Sequence, residues 1–293
     1  IVASTDLYGG TVNLFKNTLR QQGIEVRFAD PADPKNFEKL TDDKTRAYYG
    51  ESCPNPYLRV FPIKEVADIG RKKGIPLIID NTASPVICKP LAHGAAIVMH
   101  SLTKYIGGHG TSIGGIIVDG GNFDWIKDRK RQPLLNEPDQ SYGGAIWSDV
   151  VPQLTGANIP FVIRLRVVLL RDTGSPLAPF NAWQIIQGLE TVGLRMKQHC
   201  ANAEKVVSFL ETQKKVTNVI YPTNHQGEIK ERAKKYLKGG NGALVGADLG
   251  TAEAGAKFID NLKMLYHVAN IGDARSLAIH PATTTHSQLN EKE

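Results

Sequence analysis

Short apolar runs alternate with amphipathic stretches through the first 120 residues. The runs "IVAST" (1–5), "IEVRFAD" (24–30), "TRAYYGE" (45–51), "IPLIID" (75–80), "AAIVMH" (95–100) and "GGIIVDG" (114–120) have strand length and are rich in branched and aromatic residues, which suits buried strands. Between the first two, Val12, Phe15 and Leu19 recur at helical spacing and Gly23 supplies a stop. Between the third and fourth, residues 62–73 read as a helix, with Pro62 suited to a first turn and Gly74 to the position past the last. This alternation predicts an α/β fold, a mostly parallel sheet with helices on both faces. Ligands of such sheets bind in the crevice beyond the carboxyl ends of the strands.

After residue 120 the pattern changes. Residues 121–178 are dense in turn formers ("NEPDQSYGG", "VPQLTGANIP") and read as a connecting region with helical pieces around 161–171. From Pro179 to about Glu211 the apolar positions, among them Trp183, Ile186, Leu189, Leu194, Val206 and Leu210, mark one long helix. The expected division is a large domain over 1–178, then a linking helix and a smaller C-terminal α+β domain over 179–293. Within the latter, "SLAIH" (276–280) reads as a strand.

Bulk properties narrow the class. A chain of 293 residues with 41% hydrophobic content can bury a core of enzyme size and is long enough for two domains. No apolar stretch approaches the roughly 18 residues of a membrane span, so no membrane partner is expected. Cys53, Cys88 and Cys200 lie far apart without a C-x-x-C pair, which supports neither a disulfide framework nor a thiolate zinc site and fits a reducing cytoplasm. The net charge is +6, but Lys and Arg are spread over helices such as "RKKG" (71–74) and "KERAKKYLKGG" (230–240) without interleaved aromatics. No nucleic-acid partner is expected from that distribution.

The candidate chemistry lies at strand ends. "IPLIID" ends in Asp80, "AAIVMH" leads into Ser101, Thr103 and Lys104, and "TRAYYGE" leads into Asn55. If these strands are parallel neighbours, all five groups face one crevice. Taken singly, Asp80 would be a turn former, Lys104 a surface charge, Ser101 and Thr103 helix caps. Together they make the set that pyridoxal phosphate chemistry needs. A desolvated lysine can serve as nucleophile and base, and a carboxylate can pair with the pyridine nitrogen so that the ring accepts electrons. Hydroxyls can bind the phosphate, and Tyr8 in "DLYGG" offers a ring to lie over the pyridine face. His100, at the end of an apolar run, is expected to be packed, and His109 flanks the lysine. His280 and His286 have no third ligand at suitable spacing, so no metal is expected.

The stretches "LYGGT" (7–11), "ESCPNP" (51–56), "IIDNT" (78–82), "HSLTKYIGGHG" (100–110) and "HPATTTHSQL" (280–289) resemble the fold-type I pyridoxal phosphate enzymes of cysteine and methionine metabolism. The resemblance covers nearly the whole chain. It implies Lys104 as the Schiff-base lysine, Asp80 as partner of the pyridine nitrogen, Ser101 and Thr103 as phosphate ligands, Tyr8 as the stacking ring that moves protons, and Asn55 near the cofactor's phenolic oxygen. Ala96 stands where the family usually has an acidic residue, and Leu102 where it has a small one. The family also carries further residues before "IVAST" and after Glu293, including a glycine-rich turn for the phosphate and an arginine for the substrate carboxylate. Within the family, "GGNFDW" (120–125), the long insert before residues 169–203 and "NIGDARSL" (270–277) are most similar to the O-acetylhomoserine sulfhydrylases. In the related lyases a serine often replaces Asn270. The implied activity converts O-acetyl-L-homoserine and sulfide to L-homocysteine and acetate in a cytoplasmic homotetramer with sites shared between subunits. Alternatives are a cystathionine γ-synthase, a methionine or cystathionine γ-lyase, and a non-catalytic truncated relative.

Overall fold

Each of the six apolar runs of the first half becomes a strand of one sheet: β1 (Val2–Ser4), β2 (Arg27–Ala29), β3 (Tyr48–Glu51), β4 (Leu77–Asp80), β5 (Ile97–Ser101) and β6 (Gly115–Asp119). The computed structural model describes residues 1–284. The strand order is β2-β1-β3-β4-β5-β6, parallel throughout except for β6, which runs antiparallel to β5. The connection between those last two strands, residues 102–114, carries no α-helix to cross over the sheet, and β6 turns back beside β5.

Successive side chains on a strand point to opposite faces, and β3 shows the consequence. Tyr48 joins the core built with Phe37, Phe61, Ile63, Val66, Leu77 and Ile79, under the helix Ile63–Lys72, whose Ile63, Val66, Ala67 and Gly70 are buried. Tyr49 joins the opposite core with Ala3, Leu7 and Phe15, under the helical stretch 9–21. Burying one such side chain contributes roughly 1.5–3 kcal/mol before entropy is counted. Helices therefore cover both faces, as the alternation predicts. Gly74 ends the Ile63–Lys72 helix at φ +66°, and the Ile75 N–H returns to the Gly70 carbonyl at 2.9 Å, a left-handed close that favours glycine.

The connecting region folds into short helices around a third core of Phe123, Trp125, Leu135, Trp147 and Val151. The helix Trp147–Thr155 meets the helical stretch 160–173 at a bend of 102°. Trp125 and Phe161 stack there at 5.5 Å between ring centroids. No single helix among the described residues is long and apolar enough to cross a membrane.

The long helix runs Pro179–Glu211. Its buried stripe is Ile185, Gly188, Val192, Met196, Cys200, Ala203 and Val207, a near-perfect 3-4 spacing. The apolar residues Trp183, Ile186, Leu189 and Leu194 stand on other faces and are exposed. Beyond this helix, β7 (Asn218–Ile220) pairs antiparallel with β8 (Gly246–Asp248), and β9 (Tyr266–His267) pairs parallel with β10 (Leu277–Ala278). β10 lies within the run "SLAIH". The three cysteines are buried free thiols. Burial pushes Cys53 and Cys88 up to about 12 and raises Cys200.

Candidate active site

Parallel register brings the polar ends of β3, β4 and β5 side by side. Glu51 of β3 is the partner of Asp80 of β4, and Asp80 is the partner of Met99 of β5. Asp80 is mostly buried, and that burial raises its carboxyl above the usual range although Thr82 and Tyr49 hydrogen-bond to it. The Thr82 backbone N–H donates to Asp80 Oδ1 at 2.8 Å. No lysine, arginine or histidine pairs with this carboxylate among the described residues. A buried carboxylate without a cation is costly, and a protonated ring nitrogen is the kind of group that would satisfy it.

Lys104 lies three residues beyond β5 in a π-helical turn, Leu102–Ile106, but its own backbone is non-helical at φ −93°, ψ −129°. Its amine is half-buried, and that burial lowers its pKa from the ordinary lysine value. The amine donates to Asn270 Oδ1 at 2.9 Å and is not paired with any carboxylate among the described residues. Asn270 is in turn hydrogen-bonded to Asp273. Arg275 holds the Asp273 carboxyl down at about 2.

The hydroxyls have different surroundings. The Ser101 backbone N–H donates to Thr82 Oγ1 at 2.7 Å, which ties the ends of β4 and β5 together, while the Ser101 side chain caps no helix end. Thr103 Oγ1 accepts from the Gly114 N–H at 3.1 Å, so this hydroxyl also braces the start of β6. Asn55 follows β3 in the loop to Phe61 and makes no side-chain hydrogen bond among the described residues. Tyr8 caps the start of the helical stretch 9–21 and is 62% exposed. Its backbone N–H donates to Glu51 Oε1 at 2.6 Å. A bidentate ion pair from Arg59 to the buried Asp6, at 2.6 and 2.7 Å, holds that turn against the segment after β3.

His100 is packed as expected: burial lowers its pKa to about 4, and its Nδ1 has no hydrogen-bond partner among the described residues. His280 Nδ1 contacts Thr283 Oγ1 at 3.0 Å; His286 lies outside the described residues. Glu51, Thr82 and Tyr49 were not singled out by the sequence reading. Glu51 had a readable signal, an acidic residue closing an apolar run as Asp80 does; Thr82 and Tyr49 had none beyond their neighbours.

Glu51 is 8% exposed, and its carboxyl is pushed up to about 8, chiefly by burial and then by Asp80. A carboxyl raised in the folded state contributes stability that is complete below its unfolded pKa and is lost as pH rises toward the folded value. Glu51→Gln, which keeps the acceptor for the Tyr8 N–H and stays neutral, therefore matches the parent at pH 4 in urea unfolding. At pH 8 it exceeds it by ~2 kcal/mol or more. Identical pH dependence of the two proteins would contradict the raised carboxyl.

The family model for Cys/Met metabolism PLP-dependent enzymes matches residues 1–293. The chain belongs to this family. Among its relatives, the O-acetyl-L-homoserine sulfhydrylase of Leptospira meyeri is 50% identical over 99% of this chain and 66% of its own length. O-acetyl-L-homoserine sulfhydrylase 1 of Thermus thermophilus is 46% identical over 100% of this chain and 69% of its own. A crystal structure from Campylobacter jejuni, of a candidate O-acetylhomoserine (thiol)-lyase containing N'-pyridoxyl-lysine-5'-monophosphate, superposes with a TM-score of 0.90. It is 37% identical, covering 99% of this chain and 68% of its own. The chain thus spans about two thirds of the length of the curated relatives it matches. The residues present fit the family's cofactor: a half-buried amine free of carboxylates and a buried carboxylate free of cations lie at the ends of neighbouring parallel strands.

Proposed function

We propose that this chain carries the pyridoxal phosphate site of an enzyme that replaces the acetoxy group of O-acetyl-L-homoserine with sulfide, giving L-homocysteine and acetate. The observation that carries the reading is the pair formed by Asp80 and Lys104, the first mostly buried and the second half-buried, neither with a counter-charge among the described residues, in a chain whose relatives bear the sulfhydrylase name.

In this reading Lys104 bonds the cofactor's aldehyde and Asp80 holds its ring nitrogen protonated. Ser101 and Thr103 bind its phosphate, Tyr8 covers its ring, and Asn55 lies by its phenolic oxygen. When bound, the cofactor supplies an electron sink for the pair left at the substrate α-carbon. The chain's own part is proton handling at Lys104 Nζ. Desolvation keeps the amine closer to its neutral form, and the Asn270 carbonyl oxygen orients it. Once the substrate's amine has displaced it from the aldehyde, the lysine amine takes the α-proton, passes it on, and in its neutral form again takes the β-proton, with the Tyr8 hydroxyl assisting; the γ C–O bond breaks as acetate departs, sulfide forms the C–S bond, and the protons return to carbon. A base and proton held together in one site react as if intramolecular, an advantage of up to about 7–11 kcal/mol.

The domain boundary at 178/179 belongs to the same proposal, supported by the start of the long helix at Pro179. So do a cytoplasmic location and a homotetramer with shared sites. Exposed Phe180 and Trp183, and Ile116 to Val118 on β6, support subunit contact. The deciding assay supplies the purified holoenzyme with O-acetyl-L-homoserine and sulfide and measures homocysteine and acetate in equal amounts. Release of a 2-oxo acid from methionine or cystathionine, without homocysteine from the first pair, would replace this reading with a γ-lyase.

A further inference from the structure

Arg195, on the long helix, spends its guanidinium on the backbone that follows Lys104. Nη1 donates to the Tyr105 carbonyl at 2.6 Å, and Nη2 donates to the carbonyls of Ile106 at 3.0 Å and Gly188 at 2.7 Å. Nε donates to Thr191 Oγ1 at 3.1 Å. No carboxylate pairs with this arginine among the described residues. A half-buried guanidinium without an anion is an expensive way to fasten a helix, so the carbonyls it reaches are the feature to explain.

Two further observations concern the same stretch. The long helix approaches it at Gly188, where a methyl group would overlap the carbonyl oxygens of Ile106 and Gly107. A side chain at Gly108 would strike the Arg195 guanidinium itself. On the other side, the Ala274 N–H donates to the Gly108 carbonyl at 2.8 Å, four residues from the Asn270 that holds the Lys104 amine. Lys104 sits at a break in helical geometry, so helical hydrogen bonding alone does not fix its direction. The carbonyls immediately after it are fixed from outside.

We propose that Arg195 is a positioning residue for Lys104: its planar fork pins the carbonyls of Tyr105 and Ile106 and so sets the angle at which the lysine side chain leaves the backbone toward Asn270. The inference rests on the reading of Lys104 as the reacting amine. A lysine could not substitute, because one ammonium on a flexible stem does not reproduce a rigid two-pronged donor.

The test uses the full-length holoenzyme with Arg195→Ala and Arg195→Lys, measuring kcat and KM for O-acetyl-L-homoserine per bound cofactor, with and without added methylguanidine. Misplacing a reacting group by a fraction of an ångström to an ångström costs about 10- to 100-fold in rate. Arg195→Ala is expected to lose that much kcat with KM changed by no more than about twofold, and methylguanidine is expected to restore part of it. A per-site kcat equal to the parent's, or a loss confined to cofactor occupancy and melting temperature, overturns the proposal. If Arg195→Ala does not fold, Arg195→Lys decides: a lower per-site kcat supports positioning, and the parent's value overturns it. Failure of the underlying reading is distinguishable, since it shows as activity in Lys104→Ala, whatever Arg195 does.

Discussion

Lys104→Ala loses ~10⁴-fold in homocysteine formation, because it removes the group that carries protons to and from the substrate. The visible absorbance of cofactor bonded to lysine disappears with it. The fold survives: the amine is half-buried, its one hydrogen bond among the described residues is to Asn270, and its desolvation opposes its charged form. The loss is therefore in chemistry, and melting temperature separates the two. A purified variant that keeps both the absorbance and the turnover would place the reacting amine elsewhere.

Asp80→Asn has the second-largest effect and pulls activity and stability in opposite directions. Turnover falls ~10²- to 10³-fold, as when a preorganised charge is removed from a reacting centre. Without cofactor, stability rises. The sign follows from the raised folded pKa of Asp80: the carboxylate costs stability once pH exceeds its unfolded pKa, and a neutral amide of the same shape does not. Urea unfolding of the cofactor-free proteins at pH 7 checks the gain, and steady-state kinetics of the holoenzymes check the loss. Parent-like turnover would remove Asp80 from the site, and a less stable cofactor-free variant would mean that a cation already faces it.

Much of this was legible in the chain. The strand runs, both early helices and the long helix followed from period and punctuation, because each element buries a face and hydrophobic spacing records which face. The placing of Asp80 and Lys104 at one end of the sheet needed only that β3, β4 and β5 be adjacent and parallel, and they are. Three features were not legible for one reason, that contacts between distant segments leave no local pattern. Asn270 reaches Lys104 across 166 residues, and Arg195 reaches Tyr105 across 90. The buried stripe of the long helix runs through Gly188, Cys200 and Ala203, whereas its largest apolar residues, Trp183 and Phe180, face outward. There, residue size pointed away from the packed side, because close backbone approach at Gly188 demanded small side chains.

The buried cysteines have a consequence for a protein that would work in sulfide. Attack on polysulfide or on a disulfide requires thiolate, and a thiol raised to about 12, as at Cys53 and Cys88, is ionised in only about one molecule in ten thousand at pH 8. Cys53 and Cys88 are therefore expected to resist persulfidation and mixed-disulfide formation in the medium the proposed reaction requires, and in the folded protein to take up iodoacetamide only after denaturant opens the core.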